Sequence, residues 1–224
     1  MTVEDVIKEL ESLGTEQNRK IFKRHGMGEN LYGVSSADLN KLKKRIKVDH
    51  ELARRLWETG NYDARALATL IADPRLLDDG QLESWAKSLD SYAIADMFAR
   101  LASRTALAKK KMERWIKSKD EWTARAGWQM LGSLARDDAG LPEDYFEPYL
   151  GIIEQKIQSS KNRVKDAMNN ALISIGVRTP RLHKRAVEVA RKIGRVEVDH
   201  GETGCKTPDA IPYMARMLER AAKQ

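Results

Sequence analysis

A chain of 224 residues, 42% of them hydrophobic, can bury one sizeable core or one continuous solenoid. A third of the residues are charged and no apolar run approaches the roughly 20 residues that span a bilayer, which argues against a membrane-embedded chain. The formal charge of +7 favours an anionic partner, most simply a nucleic acid, and the single cysteine, Cys205, excludes an intramolecular disulfide framework.

Apolar residues recur at spacings of three and four along the chain, so helices are expected throughout and strands nowhere. Val3, Val6, Ile7, Leu10 and Leu13 form the first helical stripe, stopped at Gly14. A second helix is expected over 15–25, ended by Gly26 and Gly28, followed by a loop containing Tyr32-Gly33-Val34. Ser35 and Ser36 offer N-caps for a helix carrying Leu39, Leu42 and Ile46. Further helices are expected over 49–59, 62–72, 79–88, 91–102, 105–117, 120–135, 143–158, 161–175, 179–193 and 208–222. Gly, Pro and Asp punctuate the breaks. For the last helix, Thr207 is the expected cap and Pro208 the first residue. Short turns between helices of 10–16 residues predict an all-α fold, an α-solenoid of antiparallel helix pairs, as a single domain over 1–224.

An internal repeat supports stacking. Tyr62, Tyr92 and Trp122 are 30 residues apart, and each opens a predicted helix. The first and third copies share the pattern aromatic-x-Ala-Arg-Ala, in Tyr62–Ala66 and Trp122–Ala126. The middle copy reads Tyr92-Ala93-Ile94-Ala95-Asp96, with a carboxylate where its neighbours have Ala66 and Ala126. A carboxylate at a position that favours a small apolar residue is costly unless it is paired, solvated or used. Tyr92 and Asp96 lie four apart on one helix face, where a ring and a carboxylate suit a cationic group. An ion pair between Asp96 and a nearby arginine is the alternative.

Charge is unevenly spread. Between Lys156 and Arg195 eleven Lys or Arg face only Asp166 and Glu188, a local net of +9. A second cluster runs from Lys109 to Lys119. Such density suits the phosphate backbone of a nucleic acid. No phosphate-cradling glycine loop, Gly-x-Ser-x-Gly or His-Glu-x-x-His motif occurs. His25, His50 and His183 read as surface or capping residues, and Trp57, Trp85, Trp115 and Trp128 as core. Asp199, His200 and Cys205 match no standard zinc spacing, so the segment 199–208 reads as a structured loop and no metal site is expected.

With these residues in place, the chain resembles the bacterial DNA alkylation repair family of HEAT-like-repeat, AlkD-type DNA glycosylases. The resemblance rests on Tyr32-Gly33-Val34 before an amphipathic helix, Ser91-Tyr92 through Asp96, Trp122-x-x-Arg125-Ala126, and the basic helix beginning near Lys161. It implies a curved superhelix of HEAT-like helix pairs whose concave basic face holds double-stranded DNA. It also implies excision of cationic alkylated purines, 3-methyladenine and 7-methylguanine, by cleavage of the N-glycosidic bond, without base flipping, metal or cofactor. The family's catalytic pattern falls on Tyr92 and Asp96, and its backbone-approaching arginine on Arg125; Lys161, Arg163 and Lys165 of the basic helix, with Asn170, complete the expected DNA contacts. Asn170 stands where the family carries a second tryptophan, which resembles a divergent branch. A monomer in the bacterial cytoplasm, working on the nucleoid and without membrane contact, is the corresponding expectation. A non-catalytic helical-repeat module binding nucleic acid or protein is the alternative.

Overall fold

Capping residues set the helix starts. Thr2, Thr15, Ser35, Asp49, Asn61, Asp78, Asp120, Thr179 and Asp209 each accept a hydrogen bond from a first-turn amide, satisfying a donor that has no partner within its helix. The computed structural model describes residues 1–137 and 140–223 and contains thirteen α-helices and no strand among them. In chain order these are α1 (Val3–Leu13), α2 (Glu16–Arg24), α3 (Ser36–Ile46), α4 (His50–Glu58), α5 (Tyr62–Ile71), α6 (Asp79–Lys87) and α7 (Tyr92–Ala102). They continue with α8 (Ala108–Trp115), α9 (Glu121–Arg136), α10 (Glu143–Lys156), α11 (Asn162–Gly176), α12 (Pro180–Ile193) and α13 (Ala210–Ala221). Two expected starts move: α8 begins at Ala108 rather than 105, and α13 begins later than expected. Asp209, not Thr207, caps α13, which therefore starts at Ala210.

The helices group into two units. The first holds Met1–Ala108 with His200–Gly204; the second holds Lys109–Asp199 and the chain from Cys205 onward. In the first unit α3, α5 and α7 lie side by side in one row, and α4 pairs with α5 behind it. The indoles of Trp57 and Trp85 stack with centroids 4.2 Å apart, and Phe98 packs tilted against both, which ties α4, α6 and α7 into one core. Trp57 Nε1 donates to Ser88 Oγ at 2.9 Å, so its one polar atom is not stranded by burial.

The loop Tyr32-Gly33-Val34 is explained by a residue 30 positions on. Asp63, fully buried, accepts the amides of Tyr32 (2.6 Å), Gly33 (3.1 Å) and Val34 (2.9 Å). Gly33 has φ +82° and sits where a side chain would strike the Thr15 carbonyl, so both its backbone angle and its surroundings require glycine.

In the second unit α9 and α11 are the most closely packed pair, with α13 beside α11 in the same row and α10 and α12 forming the other. Small residues permit that approach: Gly132 faces Ser174 and Ala171 across the contact. Nearly the whole of α9 from Thr123 to Ala135 is buried. By contrast α12 buries only Leu182, Ala186, Val189 and Ala190, leaving its basic residues off the buried stripe.

Candidate nucleic-acid interface and the Tyr92–Asp96 helix face

The repeat assigns its arginine a structural task. On α5, Arg65 Nη1 donates to the Ser88 carbonyl (3.2 Å) and to Asp90 (2.9 Å), the residues that lead into α7. On α9, Arg125 Nη1 donates to the Arg163 carbonyl and to Asp166, both at 2.8 Å, in the first turns of α11. Each arginine thus reaches from one helix of a row to the start of the next. The Arg125 side chain is 2% exposed and Asp166 13%. Arg125, expected at the DNA backbone, is therefore set behind the surface, where a buried ion pair fixes the start of α11. In the middle copy the corresponding residue is Ala95, which cannot make such a bond.

Tyr92 is the first residue of α7 and Asp96 lies one turn on, so both project from one face, each half-buried. Tyr92 Oη is 2.7 Å from Nδ1 of His25, the C-cap residue of α2. The two rings are tilted, with centroids 6.3 Å apart. Phe22 and Tyr62 pack together nearby, and burial, with the neighbouring Asp63 and Tyr92, raises the Tyr62 hydroxyl well above its usual range. His25 is thus no plain surface histidine: it fixes the Tyr92 hydroxyl. No local motif announces this, because the partners are 67 residues apart.

The +9 segment divides in three dimensions. Arg181 pairs with Glu143, Asp144 and Glu147 of α10. Arg185 and Lys192 converge on Glu154, whose carboxyl they hold below its usual range. Arg178 donates to the carbonyls of Ala135 and Leu141. Much of the α12 charge is consumed by the acidic face of α10. The window count could not register this, because those acids lie outside it.

Of the other cations, Lys184, Arg191 and Arg195 stay exposed on or just after α12, while Lys156, Lys161, Arg163 and Lys165 lie around the start of α11. Lys161 is its N-cap residue and donates from Nζ to the Lys119 carbonyl at 2.8 Å. The Arg163 amide donates to Glu121 at 2.7 Å, and Lys165 is half-buried one turn on. Among the described residues, Lys117, Lys119, Lys156, Lys161 and Lys165 have no carboxylate within 4 Å. Asn170 is half-buried on α11; its carbonyl accepts from Ser174 Oγ. The first unit holds a basic groove that the charge count missed. It is lined by Lys43 of α3 and by Arg100 and Arg104, which follow Asp96 along the chain, over an apolar base that includes Met97 and Leu101.

Asn162 clasps the Asp199 backbone, accepting its amide at 2.8 Å and donating to its carbonyl at 2.7 Å. Among the described residues no three His, Cys, Asp or Glu side chains converge as a metal site would require. No helix there is long and apolar enough to cross a membrane.

These features define a HEAT-like helical-repeat protein with unneutralised lysines gathered at one helix start. A family model described as DNA alkylation repair enzyme matches residues 6–214, and the chain belongs to that family. It is 32% identical to uncharacterized protein Lin0241 of Listeria innocua over 98% of this chain and 99% of that one. It is 31% identical to Lmo0209 of Listeria monocytogenes over the same shares. A solved structure, presented as "a new family of proteins related to the HEAT-like repeat DNA glycosylases with affinity for branched DNA structures", superposes with a TM-score of 0.91. That structure is 32% identical, with 99% of this chain and 95% of that one covered.

Proposed function

We propose that this protein binds DNA, and branched DNA in preference to linear duplex, through Lys161, Arg163 and Lys165 at the start of α11. The observation that carries the proposal is the set of lysines there without carboxylate neighbours, because phosphate binding needs charge that is not already neutralised. Arg125 serves this surface indirectly, by fixing the α11 backbone through Asp166 and the Arg163 carbonyl. The similar structure's described affinity for branched DNA supports the choice of ligand. A labelled four-way junction and a linear duplex of the same sequence, titrated in parallel, test it. Tighter binding of the junction is expected; equal binding contradicts the preference for branches.

A second reading is base excision, favoured by the Tyr92–Asp96 face. A carboxylate beside an aromatic ring suits a cationic purine and the oxocarbenium-like sugar formed as its glycosidic bond breaks. In that scheme C1′–N9 cleaves, 7-methylguanine leaves as a neutral base, water supplies the hydroxyl that ends on C1′, and its remaining proton passes to solvent. Asp96 stabilises the sugar cation or orients the water, and Tyr92, fixed by His25, lines the lesion. Asn170, in place of an aromatic, supplies no second cation–π surface, so slow turnover is expected. Release of 7-methylguanine from duplex by the wild type, lost about 100-fold or more in Asp96→Asn, supports excision. Release unchanged in Asp96→Asn removes Asp96 from the chemistry, and no release by the wild type leaves a binding module.

A further inference from the structure

The second unit contains a cavity of about 630 Å³ beside the start of α11 that none of the roles above uses. Its rim carries Lys117, Lys119, Lys156 and Lys161, all exposed. The one acid lining it, Asp120, is engaged as the N-cap of α9, accepting the Thr123 amide at 2.8 Å. Below the rim the walls are apolar: Ile116 and Ile152 are half-buried, and Trp128 and Met168 lie at the base with exposures of 2% and 1%. A cationic mouth over an apolar interior calls for a ligand with an anionic part and a flat, poorly hydrated part.

We propose that this cavity takes an unpaired nucleotide: its phosphate on the lysines and its base against the Ile116, Ile152 and Met168 walls. The volume lies within the range of about 300–1,000 Å³ typical of small-ligand pockets. A base within a duplex cannot enter, because its faces are covered by stacking and its edge by pairing. A base freed at a branch or a strand end can. Lys161 connects the two sites, standing at the N-cap position of α11 and also forming part of the rim. The proposal rests on the DNA-binding reading above and deepens it by naming the feature of branched DNA that is recognised. The phosphates of both strands would be held by charge, and the branch distinguished by the one nucleotide that is free to leave the stack.

The test uses the full chain and two fluorescein-labelled probes: a blunt duplex and the same duplex with a short single-stranded thymidine overhang. The wild type is expected to bind the overhang probe about tenfold more tightly, the worth of one stacked or buried base. Ile152→Trp, which fills the cavity from the half-exposed face of α10, is expected to lose that preference while keeping its affinity for blunt duplex. The double variant Lys117→Glu, Lys119→Glu is expected to weaken overhang binding more than blunt binding. Circular dichroism shows whether each variant is folded. Equal affinity of the wild type for both probes, or a preference retained by a folded Ile152→Trp, overturns the cavity proposal and leaves DNA binding standing. Binding of neither probe at low salt overturns the DNA-binding reading and the cavity proposal with it. An acidic peptide that displaces the overhang probe as well as unlabelled overhang strand does would assign the cavity to a protein partner instead.

Discussion

At the scale of single residues, the carboxylates divide by what surrounds them. Asp63 is fully buried, and burial pushes its carboxyl up against the downward pull of the Val34, Tyr32 and Gly33 amides. Asp63→Asn keeps the shape but turns one acceptor into a donor, facing amides that also donate. The expected loss is about 3 kcal/mol, read as a lower urea midpoint with an unchanged m-value. A change below about 0.5 kcal/mol would mean that the 32–34 loop is held by other interactions. Asp96, by contrast, is only half-buried, in a position where both sister copies carry a fully buried alanine. That break in the repeat was legible in the sequence because the repeat itself was. The task of its arginine was not. Arg65 and Arg125 hold backbone and carboxylates about 25–40 residues ahead, and nothing local in aromatic-x-Ala-Arg-Ala indicates so distant a partner.

Among elements, helix packing depends on positions where no side chain fits. A Cβ on Gly127 of α9 would lie 2.6 Å from the Ile116 nitrogen and 2.8 Å from the Trp115 carbonyl carbon. Both atoms are backbone, so α9 would have to move off the end of α8. Gly127→Ala is expected to cost about 2 kcal/mol, roughly 4–8 °C in Tm for a domain of this size. Gly151, in the middle of α10, has nothing within 4 Å of its Cβ position. Gly151→Ala should be neutral or raise Tm slightly, since alanine loses less freedom on entering a helix. If the two variants melt together, close approach at Gly127 is not what holds α8 and α9. Helix positions were the most legible feature of the sequence, because Ser, Thr, Asn and Asp caps and the three–four apolar spacing act locally. The exception makes the same point: Thr207 and Asp209 both offer cap chemistry, and choosing between them takes the Ile211 amide that Asp209 accepts.

For the whole molecule, charge had to be read in space. The eleven cations between Lys156 and Arg195 look like one continuous basic surface in sequence. Folding sets Arg181, Arg185 and Lys192 of α12 against Glu143, Asp144, Glu147 and Glu154 of α10 and leaves the lysines at the start of α11 unneutralised. It also gathers Lys43, Arg100 and Arg104, which no window would join, around one groove in the first unit. The helical-repeat class and the family followed from pattern and order. The functional surface did not, because ion pairing subtracts charge between segments distant in the chain. The most direct measurement is therefore the salt dependence of DNA binding, as log K against log salt, for the wild type and for Arg163→Glu with Lys165→Glu. A steep negative slope is expected for the wild type, flattened in the double variant by about 0.9 for each phosphate that the protein no longer neutralises. A wild-type slope near zero, or a slope that the double variant leaves unchanged, would contradict an interface at the start of α11.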